Sequence, residues 1–465
     1  MLFRSDVGTG KQIWKQTLDW PPETPRVVCC GISNKGAAIY NGKIFRTTLD
    51  AHVIAYDAKD GKELWKAKAA EWKEGYSLTV APLVANGVLV TGISGAEFGI
   101  RGFIDGWDAE SGKHLWRRHT IPARGEKGNE TWPQDTNAWE VGGGSAWITG
   151  SYDPELDLMY WGTGNAAPWA SQSRPGDNLY TSSVLALRPK TGEIAWHYQF
   201  TPNDAYDYDA CWELINADIT VGGAKRKVIM QLNRNGFVYV IDRSNGQLIS
   251  AKPFEKVTWA SHIDEAGRPV ETETAKKLRA GEAIEHWPST LGGKNWPHAA
   301  YSPETGLLYA NTIHNARMYR HLEIKPYVVG QRYQFVENIQ IPKKPGEPYG
   351  HIDAIDPLTG QQKWRVPLTD NPIWSAMLAT GGGLLFTGKE TGEFIAIDAA
   401  TGQQLWQFQT GSGINAMPIT FTHNGQQYVS ILSGIGGLWW NIARERLKDA
   451  VPQGGSVWTF ALLPE

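Results

Sequence analysis

The segment Asn203-Asp204-Ala205-Tyr206-Asp207-Tyr208-Asp209-Ala210-Cys211 places three aspartates within six positions, between aromatic residues and with no lysine or arginine among them. In an extended chain, residues two apart point to the same side, roughly 6–7 Å apart. Asp207 and Asp209 would then aim two negative charges at one spot. Without a cation that arrangement is unfavourable, and burial would hold one acid protonated. Two chemistries fit the segment: an exposed acidic turn, or half of an oxygen-rich metal site. Other unusual stretches are VVCCGISNKG (27–36), SGAEFGIRG (94–102), SAWITGSYDPELDLMYWGTGN (145–165), RPGDNLYTSS (174–183), LNRNG (232–236), GGKNWP (292–297) and SGIGG (433–437).

These stretches are long insertions between repeats. The segments SDVGTGKQIW (5–14), AYDAKDGKELW (55–65), GWDAESGKHLW (106–116), ALRPKTGEIAW (186–196), AIDPLTGQQKW (354–364) and AIDAATGQQLW (396–406) share one pattern, and VIDRSNGQLIS (240–250) keeps it except for Ser250. Each is an apolar strand, a polar turn with glycine where φ is positive, and a strand ending in a large aromatic. A strand pair at 299–313 (AAYSPETGLLYANTI) suggests a degenerate eighth repeat. Repeats of this length with several short strands fit an all-β, eight-bladed β-propeller with tryptophan-ended blades. The hairpin-end tryptophans then pack between blades rather than do chemistry. A helical insert is expected at 271–283, and 454–463 reads as a closing strand. The first repeat has few residues before its hairpin, so the first blade is expected to be incomplete. The expectation is one propeller domain over 1–465, truncated at its N-terminus and missing the strands there.

Composition narrows the function. A formal net charge of -3 over 465 residues argues against nucleic acid or an anionic membrane as the main partner. No apolar run approaches the ~20 residues of a membrane span. The 51 glycines suit a turn-rich β fold, and 22 tryptophans require a repeated structural role. The only cysteines are Cys29, Cys30 and Cys211; no CxxCH occurs, so a covalent c-type haem on this chain is excluded. The opening residues MLFRSDVGTGKQIWK lack the apolar core of a signal peptide.

Taken in order, the vicinal Cys29-Cys30, GAE-x-G-x-RG, GTGN-x-x-PW, RPGDN and D-Y-D motifs resemble the quinoprotein alcohol dehydrogenases of the methanol/ethanol type, which use pyrroloquinoline quinone (PQQ). The resemblance covers nearly the whole chain. Adjacent cysteines can bond only through a strained eight-membered ring; the alternative is two free thiols. The resemblance implies that Cys29 and Cys30 form a ring disulfide over the cofactor, in an oxidising compartment, with Cys211 free. It implies that Trp147, which ends no hairpin, stacks on the other quinone face, although one more core tryptophan would fit the residue alone. Thr79, Ser94, Gly95, Ala96, Arg234, Asn295 and Trp374 match cofactor-binding positions. Lys35 stands where the family usually has arginine, keeping the charge and losing the planar fork. Arg234, otherwise readable as a surface hairpin residue, would stabilise charge on the quinone oxygens.

By the same resemblance, Glu97, Asn165 and Asp207 ligate a metal, and Asp207 is the catalytic base. Oxygen ligands without Cys or His describe a hard cation. Asp209 lies where lanthanide-dependent members carry a second aspartate and calcium-dependent members a small uncharged residue. It reads either as a lanthanide ligand or as an incidental acid in a calcium site. Trp169 matches a wall of the substrate cavity, and 436–449 is expected near its entrance.

The implied activity is PQQ-dependent oxidation of a small primary alcohol to an aldehyde. A lanthanide, or alternatively calcium, would act as Lewis acid. Electrons would pass to a soluble cytochrome c, in the periplasm, with a homodimer possible and no nucleic-acid or membrane-spanning role. The readings from other classes are a non-catalytic propeller scaffold or binding module, which has no use for these motifs together, and a related quinoprotein sugar or aldehyde dehydrogenase.

Overall fold

A computed structural model describes residues 2–462. The repeat pattern becomes strands whose burial depends on their place in the sheet. His52–Asp57 buries Val53, Ile54, Ala55 and Tyr56 in succession, so both of its faces are covered. The next strand, Glu63–Lys68, alternates between exposed and half-buried positions, as an outer strand would. With Ala38–Tyr40 and Lys43–Thr47 these form a four-stranded antiparallel sheet in sequence order. Among the described residues there are six such four-stranded sheets.

The fifth of these departs from the sequence expectation. Ala300–Ser302 and Leu307–Ile313 pair with Gly350–Ile355 and Gln362–Leu368, so 299–313 supplies the first half of the sheet that ends in AIDPLTGQQKW and is not a repeat of its own. The intervening strands Arg317–His321 and Val336–Gln340 leave to form a separate sheet with Ile284–His286. That excursion stretched the repeat beyond recognition. A further blade-like sheet instead lies at the C-terminal end, where Ile419–His423, Gln426–Ser433 and Ser456–Ala461 pair. The last strand is the predicted closing strand; its residue Leu463 lies outside the described residues. At the other end Leu2–Ser5 pairs with Gln12–Gln16 in a two-stranded sheet.

The tryptophans do pack between sheets. The ring of Trp116 lies on the turn glycine of the next repeat, within 2.4 Å of where a Cβ on Gly192 would stand, and its indole N–H donates to Pro189 O at 2.9 Å. Trp14 on Gly61, Trp65 on Gly112, Trp196 on Gly246 and Trp364 on Gly402 repeat this contact. The repeat glycine therefore serves twice, as the turn residue with positive φ and as the bare surface that admits an indole. Ser250, the exception in sequence, substitutes a hydroxyl bond to Leu358 O at 2.7 Å. Trp406 remains 39% exposed.

Two helices interrupt the strands. The expected insert forms α1, Glu273–Arg279, with Thr272 as its capping residue. The helix α2, Gly437–Leu447, occupies the segment expected near the site entrance. No helix among the described residues is long and apolar enough to cross a membrane.

Candidate active site

The acidic segment is neither exposed nor a strand. Asp204, Asp207 and Asp209 are all buried, and Asp207 takes a left-handed backbone conformation with φ 66°. The three acids have different tasks. Asp204 turns back to accept the amides of Tyr206 at 3.1 Å and Tyr208 at 3.0 Å, stapling the loop. Arg174, fully buried, holds the same loop by donating to Asp204 O, to Pro168 O at 2.8 Å and to Asn178 Oδ1 at 2.7 Å.

Asp207 and Asp209 meet at one arginine. Arg234 lies in the turn between Ala224–Leu232 and Phe237–Asp242. It donates to Asp209 Oδ2 at 2.6 Å, to Asp207 Oδ2 at 2.7 Å and to Thr290 O at 2.6 Å. The cation missing from the acidic segment is thus supplied by a turn of the sheet that the segment leads into, and Arg234 is buried rather than a surface hairpin residue. The expected convergence is present, but a loop with a left-handed residue produces it, not an extended strand.

Asn165 and Glu97 complete the cluster. The backbone N–H of Asn165 donates to Asp209 Oδ1 at 2.9 Å. This approach requires Gly164, because a Cβ there would stand 2.5 Å from the same oxygen. Glu97 sits on a short 3-10 turn, Ala96–Phe98, entered through Gly95 at φ 128°, where a Cβ would be 2.1 Å from Gly75 O. Burial raises the Glu97 carboxyl above its usual range, and the charge of Asp209 raises it further. Burial also pushes Asp207 well up, against the pull of Arg234 and helped by Asp209 and Glu97. Asp209 is raised by burial despite Arg234 and the Asn165 amide. Burial opposes the charge of Arg234, but Asp207 and Asp209 outweigh it and hold the guanidinium firmly protonated.

Two carboxylates therefore pair with one guanidinium, and the Glu97 carboxyl lies near enough to feel the charge of Asp209. Two oxygens in the cluster, Asn165 Oδ1 and Asp207 Oδ1, are buried without a hydrogen-bond partner. Buried acceptors without donors are costly, and a hard cation is the ligand that satisfies oxygen acceptors and surplus negative charge together. The donor set fits such an ion. Among the described residues, no three His, Cys, Asp or Glu side chains already stand at chelating distances. Arg234 occupies the space between Asp207 and Asp209, so an ion would have to share or displace its bonds.

A second group lies beside this cluster. Cys29 and Cys30 are disulfide-bonded to each other, and Cys211 is free and buried. Lys35 Nζ is 3.0 Å from Thr79 Oγ1, which lies 3.0 Å from Ser94 Oγ. The same ammonium stands 4.7 Å from the Trp147 ring, and Trp147 meets Trp212 edge-on at 5.5 Å. The Arg234 guanidinium lies 5.8 Å from the Trp212 ring, which joins the two groups. Burial without a carboxylate partner lowers the Lys35 amine to about 7.

The remaining predicted residues are less directly engaged. Asn295 spends its side chain on its own loop, donating to Leu291 O at 2.8 Å and accepting from the Trp296 amide at 2.9 Å. Trp374 is buried against Trp439, ring on ring at 4.3 Å and 7°. Trp169 is tied only through its backbone to the loop that Arg174 holds, Arg174 donating to its carbonyl at 3.4 Å. The sequence reading missed Trp212, the buried pair Lys294–Glu213 at 2.8 Å, and Trp439. Trp212 and Glu213 directly follow the acidic segment and Lys294 lies inside GGKNWP, so proximity to those motifs was the available signal.

The family model described as "PQQ: Glucose/ethanol/alcohol dehydrogenase, beta-propeller domain" matches residues 2–266 and 269–429. The quinoprotein alcohol dehydrogenase PedH of Pseudomonas putida is 39% identical over 99% of this chain and 80% of its own length. A lanthanide-dependent methanol dehydrogenase of Methylacidiphilum fumariolicum is 40% identical over 92% of this chain and 73% of its own. A solved europium-containing methanol dehydrogenase superposes with a TM-score of 0.93 at 36% identity, covering 99% of this chain and 87% of that one. The family match over most of the chain and these relatives show that the chain belongs to the PQQ-dependent quinoprotein alcohol dehydrogenases.

Proposed function

We propose that the protein oxidises small primary alcohols to aldehydes with PQQ and a lanthanide ion held by Glu97, Asn165, Asp207 and Asp209. The observation that carries the choice of ion is the pairing of Asp207 with Asp209. A site with three carboxylates and unpartnered Asn165 and Asp207 oxygens suits a trivalent ion better than a divalent one. When bound, PQQ with its cation supplies a two-electron acceptor with a polarised carbonyl.

The chain's own groups do the rest. Asp207 takes the hydroxyl proton of the alcohol. The Arg234 bond to Asp207 Oδ2 favours the ionised form that a base needs, and the same guanidinium steadies negative charge nearby. Asp209 is held in place by the Asn165 backbone N–H and would become a ligand as an ion takes over its bond from Arg234. Lys35, Thr79 and Ser94 would offer a cation and two hydroxyls to the cofactor carboxylates; Gly95, Ala96 and Asn295 would also hold it, Asn295 only by giving up a bond within its own loop. Trp147 and the Cys29–Cys30 ring would hold its flat faces, with Trp374 as a further cofactor contact, and Trp169 would help to exclude water from the alcohol.

The six four-stranded sheets and the shorter sheets at 2–16 and 419–461 are read as eight blades of one propeller. The electron acceptor is read as a soluble cytochrome c. The disulfide suits the periplasm. The test is dye-linked oxidation of methanol and ethanol by metal-free protein given PQQ, with lanthanum or cerium against calcium, on the chain and on Asp209→Ala. Activity with lanthanide that is lost in Asp209→Ala is expected. Activity with calcium that survives Asp209→Ala would keep the oxidation and overturn the choice of ion.

A further inference from the structure

The helix α2 carries no side-chain N-cap, since Gly436 precedes it, and it is only 11 residues long. A helix of that length is marginal alone and depends on tertiary anchors. One anchor is conspicuous. Glu390 lies in the hairpin turn between Leu384–Gly388 and Glu393–Asp398 and is 1% exposed. Its Oε2 accepts the indole N–H of Trp439 at 2.6 Å, and its Oε1 accepts from Arg446 Nη2 at 2.5 Å. Trp439 and Arg446 are two helical turns apart, so one carboxylate grips α2 near both ends. A carboxylate is buried only where its hydrogen bonds and charge are answered, and both partners here come from α2.

The helix so held touches two walls of the site. Trp439 stacks flat on Trp374. The first residue of α2 abuts the disulfide segment: a Cβ on Gly437 would lie 3.9 Å from Cys30 O and 3.7 Å from Ile32 O, and one on Gly31 would lie 3.5 Å from the Gly437 backbone. Asn415 Nδ2 donates to Gly436 O at 3.2 Å, fixing the entry.

We propose that Glu390 is a positioning residue for the PQQ pocket. By holding Trp439 and Arg446 it sets the pitch of α2, and α2 keeps Trp374 and the Cys29–Cys30 loop in register as opposite parts of one roof. This role rests on the cofactor reading above, although Glu390 itself touches neither cofactor nor substrate in it.

The test uses Glu390→Ala and Glu390→Gln on the full chain, with two readouts. The first is the near-ultraviolet circular dichroism of the stacked Trp374–Trp439 pair in cofactor-free protein. The second is the PQQ dissociation constant from tryptophan quenching, with lanthanum present. Glu390→Ala is expected to lose the dichroic signal of the pair and to weaken PQQ binding about tenfold, the lower end for a lost supporting contact. Activity should be recovered as PQQ is raised. Glu390→Gln still accepts from Trp439 and should keep the signal with a smaller loss of affinity. Glu390→Ala that retains both the signal and wild-type affinity would overturn the proposal. If Glu390→Ala does not fold, Glu390→Gln with wild-type affinity and Arg446→Gln with wild-type affinity would together overturn it. If the unaltered protein fails to bind PQQ, the cofactor reading falls, and the dichroic signal still decides whether Glu390 sets the helix.

Discussion

Replacing Arg234 by alanine in the metal-free protein removes the only cation that, among the described residues, bonds Asp207 and Asp209. Both carboxyls are nearly inaccessible, at 5% and 2% exposure, and each loses a bond of 2.7 or 2.6 Å. Thr290 O loses its donor as well. Removing one partner of a buried ion pair costs about 3–5 kcal/mol. Two pairs are broken here, but the stranded acids can protonate, which caps the loss near the lower figure. That escape makes the effect depend on pH. Asp207, Asp209 and Glu97 have folded-state pKa values raised above their ordinary 3.8 to 4.5. A raised carboxyl contributes stability that is fully present below its unfolded pKa and lost as pH rises through its folded pKa. Without Arg234 those folded pKa values climb further, so the deficit should grow with pH. Urea unfolding of metal-free Arg234→Ala and unaltered protein at pH 5 and pH 8 reads this directly. We expect a deficit of about 3 kcal/mol at pH 8, smaller at pH 5, and reduced by added lanthanum. A variant within about 0.5 kcal/mol of wild type at pH 8, or one worse at pH 5, would refute the reasoning.

Further outcomes follow from the same geometry. Asp209→Asn keeps the shape and removes one charge; at about 4 kcal/mol per pair of unit charges near a protein surface, it should lower the preference for lanthanum over calcium by about two to three orders of magnitude, measured by competition with terbium luminescence. Thiol titration of denatured, unreduced protein should find the single thiol of Cys211, and three thiols after reduction; three without reductant would remove the disulfide. Because burial lowers Lys35 to about 7, PQQ capture should weaken between pH 7 and 9, and Lys35→Arg should flatten that dependence in a fluorescence titration. Trp116→Ala should cost about 2 kcal/mol in urea unfolding, below the 3–5 typical of fully buried sites, whereas Trp406→Ala, at an exposed ring, should cost less than half of that.

The fold was legible where each repeat is local. Hairpin, turn glycine and terminal tryptophan lie within about a dozen residues, so their pattern survives in sequence. The repeat at 299–368 was misread because strands 317–340 interrupt it, and strand pairing across an insertion leaves no periodic trace. The site was legible in its types but not in its contacts. Asp207, Asp209, Glu97 and Asn165 could be named from their motifs. The bridge from Arg234 joins positions 25 and 27 apart on different elements, and no spacing rule predicts it. Asp204 looked equivalent to its neighbours and instead staples the loop. Glu390 carried no motif, and Trp439 was marked only by its place in 436–449, because their role arises only when a hairpin turn and a distant helix meet.

The most direct measurement is the anomalous scattering of a lanthanum ion in crystals of the protein with PQQ. The account predicts one strong peak about 2.5 Å from oxygens of Glu97, Asn165, Asp207 and Asp209, with Arg234 turned from Asp209. A peak elsewhere, or Arg234 still bridging both aspartates with the ion absent from the cluster, would contradict it.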